Sequence, residues 1–224
     1  MYLSKLLLNP RSREARRDLA LPYELHRTLA RAFSTAEGQD YRAAHNVLFR
    51  LEPTMPSQLP TVLVQSTNVP NWAALPLDYA TTPVPCKSLE LILTPGQVLG
   101  FRLLANPTRK VAREGRSQGR RVPLLDTTLD DAELTPAHQW LRRKAQLSGF
   151  EVLHAFSEAH SLNAAPAAPA TGSSFAKRSL PLYGVRFDGL LRVLDPQLLT
   201  QALQQGVGPA KTFGCGLLSL ARTT

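Results

Sequence analysis

Cysteine is nearly absent from this chain of 224 residues, which carries only Cys86 and Cys215. The two lie far apart and in no CxxC pattern. A zinc site built from cysteines and a disulfide framework are therefore both excluded, and a reducing compartment fits. Long apolar runs are missing too. None approaches the roughly 20 residues that a membrane-spanning helix needs. The opening stretch, MYLSKLLLNP, has no charged leader and no small-residue cleavage site, so it reads as a strand and a cytoplasmic protein without membrane contact is expected. Acid is scarce as well: 17 aspartates and glutamates stand against 26 lysines and arginines, a formal net charge of +9. That excess favours a polyanionic partner, most simply nucleic acid. The acidic group Asp126, Asp130, Asp131 and Glu133 falls in an apparent loop and suits a two-metal nuclease poorly, so neither metal nor cofactor is expected. Apolar residues, at 43%, suffice for a real core and argue against whole-chain disorder.

Two similar orders of elements follow one another along the chain. Residues 2 to 8 read as a strand stopped by Asn9-Pro10, and residues 11 to 17 as a basic connection. Pro22 sits where proline starts a helix, and Leu25, Leu29, Ala32 and Phe33 give that helix a buried stripe fading near Gly38. Strands are expected over 47 to 51 and 61 to 65. A proline-dotted stretch over 68 to 88 then holds a short helix around Trp72 and a linker. The second half reads as a strand over 97 to 105, a basic loop over 106 to 123 and a helix opened by Thr135-Pro136. After these come a strand over 150 to 156, a low-complexity loop over 163 to 174, strands over 175 to 179 and 182 to 194, a helix over 198 to 204 and a last strand. The order β, α, β, β, α, β is ferredoxin-like, and the first half fits most of it. The expected fold class is thus α+β, with two tandem ferredoxin-like domains at residues 1–85 and 95–224.

Three constellations carry candidate chemistry. The helix LPYELHRTLARAF places Tyr23, His26, Arg27, Ala30, Arg31 and Ser34 on its polar side, with Tyr23 and His26 as an i, i+3 pair. A wet helix face needs polar residues, but tyrosine and histidine are mediocre helix formers there. Histidine titrates near pH 6.5 in model peptides, tyrosine can donate to a leaving oxygen, and arginine forks hold phosphate. RNA supplies its own nucleophile in the 2′-hydroxyl, so this set suffices for cleaving it. The closing stretch GVGPAKTFGCG brackets Lys211 with Gly206, Gly208, Gly214 and Gly216. Such a loop forms either an anion nest or a tight turn before a buried strand. Basic residues over 109 to 121, and Lys177-Arg178, are candidate grips on a nucleic-acid backbone, or plain solvated charge.

The opening MYLSKLLLNP with RSREARRDLALPYELHRTLARAF, and the closing GVGPAKTFGCGLLSLA, resemble the CasE-type CRISPR repeat RNA endoribonucleases. The resemblance spans the chain and is sharpest over residues 1 to 33 and 206 to 221. It implies two RRM-related ferredoxin-like domains and metal-independent cleavage at the base of a CRISPR repeat stem–loop, leaving a 2′,3′-cyclic phosphate. It further implies retention of the crRNA and partnership with the other Cascade subunits. By position it assigns catalysis to His26 and Tyr23 and the stem grip to Lys177 and Arg178; Arg31 stands where some relatives carry lysine and is expected to contact phosphate, as Arg27 is from its place on the helix face. The glycine-rich loop with Lys211 completes the RNA-binding set. A non-catalytic scaffold of the same fold is the competing reading, and it has no need of Tyr23 and His26. A generic RRM-like binder is disfavoured because its strand aromatics are missing.

Overall fold

The computed structural model describes residues 1–33, 44–53, 55–112, 120–124, 135–164 and 180–223. Its first sheet is built from β1 (Tyr2–Leu7), β2 (Leu48–Leu51), β3 (Thr61–Ser66) and β4 (Cys86–Ser88), in the order β2-β3-β1-β4 with every pair antiparallel. The short exposed strand β4, which the prolines had marked as linker, edges this sheet, so its last strand lies beyond residue 85. Two helices, α1 (Arg13–Ala20) and α2 (Pro22–Ala30), cover the sheet, with a 3-10 turn at Trp72–Ala74 whose indole N–H donates to Ser4 Oγ. Leu6, Leu25, Leu29, Val62 and Val64 are almost wholly buried between them. Each such side chain is worth about 2 kcal/mol of burial.

Helix α1 replaces the basic connection read from residues 11 to 17. Ser12 caps it by accepting from the Ala15 N–H. Its buried residues are Ala15 and Asp18. A helix whose inner stripe includes a carboxylate shows no apolar period, which is why hydrophobic spacing misses it. The chain then bends at Leu21, and Pro22 restarts it as α2, the expected helix, which ends at Ala30. Ser34 and the expected fading near Gly38 lie outside the described residues.

The second sheet runs β10-β5-β9-β8, from β5 (Val98–Ala105), β8 (Phe150–Ala164), β9 (Leu180–Val193) and β10 (Leu218–Arg222). Helices α3 (Pro136–Leu147) and α4 (Pro196–Gln205) pack on one face, burying Trp140, Leu141, Phe150, Phe187, Leu199 and Leu203. Both sheets thus place their four strands in the same spatial order, the last strand beside the first. The basic loop contains a small separate hairpin, β6 (Thr108–Val111) with β7 (Arg120–Pro123). Arg109, Lys110 and Val111 are all exposed, so no alternation betrays that hairpin.

Strand β8 outruns the 150 to 156 expected for it, whereas β9 falls within two residues of the expected 182 to 194 at each end. Pairing of β9 with β5 stops at Ala105↔Val185, whereas β8 and β9 stay paired out to Ala164↔Leu180. The extra length is a two-stranded arm beyond the sheet, where side chains have no core to alternate against. The expected strand over 175 to 179, with Lys177 and Arg178, lies outside the described residues. So does the acidic group from Asp126 to Glu133. No described helix is long and apolar enough to cross a membrane.

Arg50 ties the two sheets together. It sits on β2, an edge of the first sheet, and is only 3% exposed. Its guanidinium donates to the carbonyls of Leu217 and Arg102, to Ser219 Oγ and to Glu52 Oε1, at 2.7–3.2 Å. Burial lowers its pKa, and Glu52 opposes that drop. Gln65 adds a second tie, donating to the Leu203 carbonyl at 2.6 Å. Arg50→Ala should therefore lower the unfolding free energy by about 3–5 kcal/mol, because Glu52 and the partner carbonyls lose a buried donor. Urea unfolding followed by circular dichroism measures this; a loss under 1 kcal/mol would show that the seam does not depend on the cation.

Candidate active site

Helix α2 aims Tyr23 and His26 across the seam at the glycine-rich loop. Their ring centroids are 6.1 Å apart. Tyr23 meets Phe213 at 6.1 Å, and His26 stacks over Phe49 of β2 at 6.4 Å with 20° between the planes. Phe213 closes a 3-10 turn, Lys211–Phe213, within that loop. The histidine and tyrosine are thus held by aromatic walls from both domains, while both side chains stay partly exposed. Lys211 opens the same short turn that Phe213 closes, and its stem packs toward Gly216.

The four glycines owe their identity to packing. Gly214 has φ +83°, and a Cβ there would stand 3.1 Å from the Phe49 ring that carries His26. Gly206 has φ +78°, and its Cβ would meet Leu48 at 2.8 Å. Gly208 lies against Trp140, and Gly216 against Val207 and the Lys211 stem. The N–H groups of Gly206, Gly214 and Gly216 donate to the carbonyls of Ala202, Lys211 and Leu104. Of the two readings of this loop, those three N–H groups fit the tight turn, because a donor already bonded to protein is not offered to an anion.

Arg31 parts company with His26. At 100° per residue, Arg31 is roughly 140° around α2 from His26. Arg27 and Arg31 border a groove on the α1 side, together with Arg17, Glu24 and Thr28. A buried network backs this groove. Asp18 accepts from Arg17 Nε at 2.9 Å and from the Tyr79 hydroxyl at 2.7 Å, and Arg17 also donates to Thr28 Oγ1 at 3.3 Å. Burial first, then the bond to Asp18, raises the Tyr79 pKa above its ordinary value. Sequence reading passed over Phe49, Phe213, Arg17, Asp18 and Tyr79. Only Phe213, an aromatic inside a glycine loop, carried a visible signal.

With this geometry in hand, the likeness to known proteins is informative. A family model described as CRISPR associated protein matches residues 1–222. The chain belongs to that family. It is 39% identical over 236 residues to the CRISPR-associated endoribonuclease Cse3 of Thermus thermophilus, covering 99% of this chain and all of the relative. It is 33% identical to the CRISPR system Cascade subunit CasE of Escherichia coli, covering 99% of each. A solved structure of the CRISPR endoribonuclease Cse3 bound to a 19-nucleotide RNA superposes with a TM-score of 0.82 at 38% identity, covering 99% of this chain and all of that one. The α+β fold with two tandem ferredoxin-like domains, expected from sequence, is thereby borne out, as is the family.

Cys215 lies inside the glycine-rich loop, fully buried, and burial pushes its thiol up to about 12 from an ordinary 9.0. The neutral thiol is the form that folding favours. Its contribution to stability is whole below pH 9 and falls as pH climbs toward about 12. The stability difference between wild type and Cys215→Ala should therefore be flat below pH 9 and shrink above it. Thermal unfolding across that range measures it; a difference that stays constant would show that the thiolate meets no penalty in the fold.

Proposed function

We propose that this chain is a CRISPR repeat endoribonuclease of the CasE type. It binds the stem–loop of CRISPR repeat RNA, cuts precursor crRNA at the base of the stem, and keeps the crRNA within a Cascade-type complex. The observation that carries this reading is the Tyr23–His26 pair, held at the domain seam in a chain similar over its length to endoribonucleases. In the reaction, the 2′-hydroxyl attacks the adjacent phosphorus, the 2′-O–P bond forms and the P–O5′ bond breaks. The products are a 2′,3′-cyclic phosphate and a 5′-hydroxyl. His26 does the general acid–base work at the oxygens, and Tyr23 positions the reacting oxygen or passes a proton. The aromatic walls of Phe49 and Phe213 limit the motion of both rings, which keeps proton transfer short.

Lys211 faces the negative charge that grows on phosphorus. Arg27 and Arg31 hold backbone phosphate on the same helix. Lys177 and Arg178 grip the stem, because a duplex is read largely through its shape and backbone. The two free cysteines agree with a reducing cytoplasm.

His26→Ala should abolish cleavage of the host's own repeat RNA, with EDTA present, while binding stays within a few-fold of wild type. Gel analysis with end-group mapping reads this out. Full cleavage by the variant would sink the catalytic assignment, and no cleavage by the parent would favour the scaffold reading. Replacing Lys177 and Arg178 together by alanine should weaken binding and flatten its salt dependence. An unchanged slope would move the stem grip elsewhere.

A further inference from the structure

The groove between α1 and α2 holds a charge arrangement that the cleavage chemistry does not use. Its lining is Arg17, Glu24, Arg27, Thr28 and Arg31, and its volume is about 120 Å³. Three guanidiniums border it. Glu24 is 18% exposed in its side chain and lies between two of them, 3.3 Å from Arg27 Nη1 and 3.8 Å from Arg17 Nε. The only other carboxylate in the network, Asp18, is fully buried, with one oxygen bound by Arg17 and the other by Tyr79. Arg17 is thereby locked at its inner end while 43% of its side chain remains exposed. Bonding to Asp18 raises its pKa further, so it stays a cation.

Nε and Nη2 of Arg17 are held by Asp18 and Thr28, which fixes the guanidinium and leaves Nη1 as its donor toward a tetrahedral anion, with little side-chain freedom left to lose on binding. Glu24 occupies the place of such an anion in the free protein. The groove lies on the opposite flank of α2 from His26, so one strand can lie across the helix and meet both.

We propose that this groove is a phosphate subsite for the RNA strand flanking the cleaved bond, with Arg17 as its fixed anchor and Glu24 as a built-in competitor for the phosphate. The proposal rests on the endoribonuclease reading and extends it. Arg17 and Glu24 are positioning and affinity residues here and do no chemistry.

The test uses full-length His26→Ala protein and the host repeat RNA, with single phosphates replaced one at a time by uncharged methylphosphonates. At least one neutral linkage near the cut should weaken binding to the parent about ten-fold. The same linkage should cost under two-fold once Arg17 is glutamine. Glu24→Gln, which leaves the Asp18 network untouched, should tighten the unmodified RNA several-fold. It should also steepen the salt slope, each added strand phosphate contributing about 0.7. Glu24→Gln guards against misfolding of the Arg17 variant, whose fold is checked by its unfolding midpoint.

If RNA binds but no linkage couples to Arg17, and Glu24→Gln leaves affinity and slope unchanged, the groove is not a phosphate site and the endoribonuclease reading stands. If the parent binds no repeat RNA, both fall.

Discussion

A buried guanidinium holds this molecule in register. Arg50 ends a line of alternating charge that runs Glu158, Arg186, Asp188, Arg102, Glu52, Arg50 from β8 across β9 and β5 to β2. Asp188 and Glu52 each lie between two arginines, and three carboxylates match three arginines, so the line is close to neutral along its length. Isolated surface pairs contribute little, but a connected network that ends on a desolvated cation with four acceptors costs much more to break. The line also places acid and base side by side on the outer face of the second sheet, a poor surface for a polyanion. Among the described residues, the excess of basic charge is left for the helices, the β6–β7 hairpin and Lys211.

What the seam accomplishes becomes plain beside Arg50 on β2. Leu48 fills the space that Gly206 leaves, and Phe49 fills the space at Gly214 and carries the His26 ring. Three consecutive residues of one short strand therefore tie the domains together, seat the glycine loop and back the histidine. The Tyr23–His26 pair is partly exposed, as the proposed cleavage requires, since a substrate has to reach it. Its order comes from the buried neighbours beneath it. On the other flank, the Tyr79–Asp18–Arg17 network does the same for the arginine groove, with hydrogen bonds in place of packing.

Much of the fold was legible wherever one face of an element met a core. The strands β1, β2, β3, β5 and β10 and the helix opened by Pro22 all show such spacing. The failures share one cause. Helix α1 hides its inward face behind Asp18, β4 and the β6–β7 hairpin are exposed, and the outer half of β8 has no core to face. Hydrophobic periodicity reports burial of apolar groups and nothing else. Elements held by capping, by ladder hydrogen bonds alone or by a buried ion pair leave no trace in it.

The candidate site divides along the same line. Local sequence alone determined that Tyr23 and His26 share a helix face, because an i, i+3 spacing on a helix is a local property. It also showed a closing loop rich in glycine, while the reason for those glycines lies in Leu48, Phe49 and Trp140, side chains from elsewhere. Tertiary structure decided that the pair faces Phe49 and Phe213, and that Arg27 and Arg31 border one groove with Arg17. These contacts join residues far apart in the chain. They exist only because Arg50 and Gln65 bring one sheet against the other, and no spacing within a segment can encode the approach of a second one.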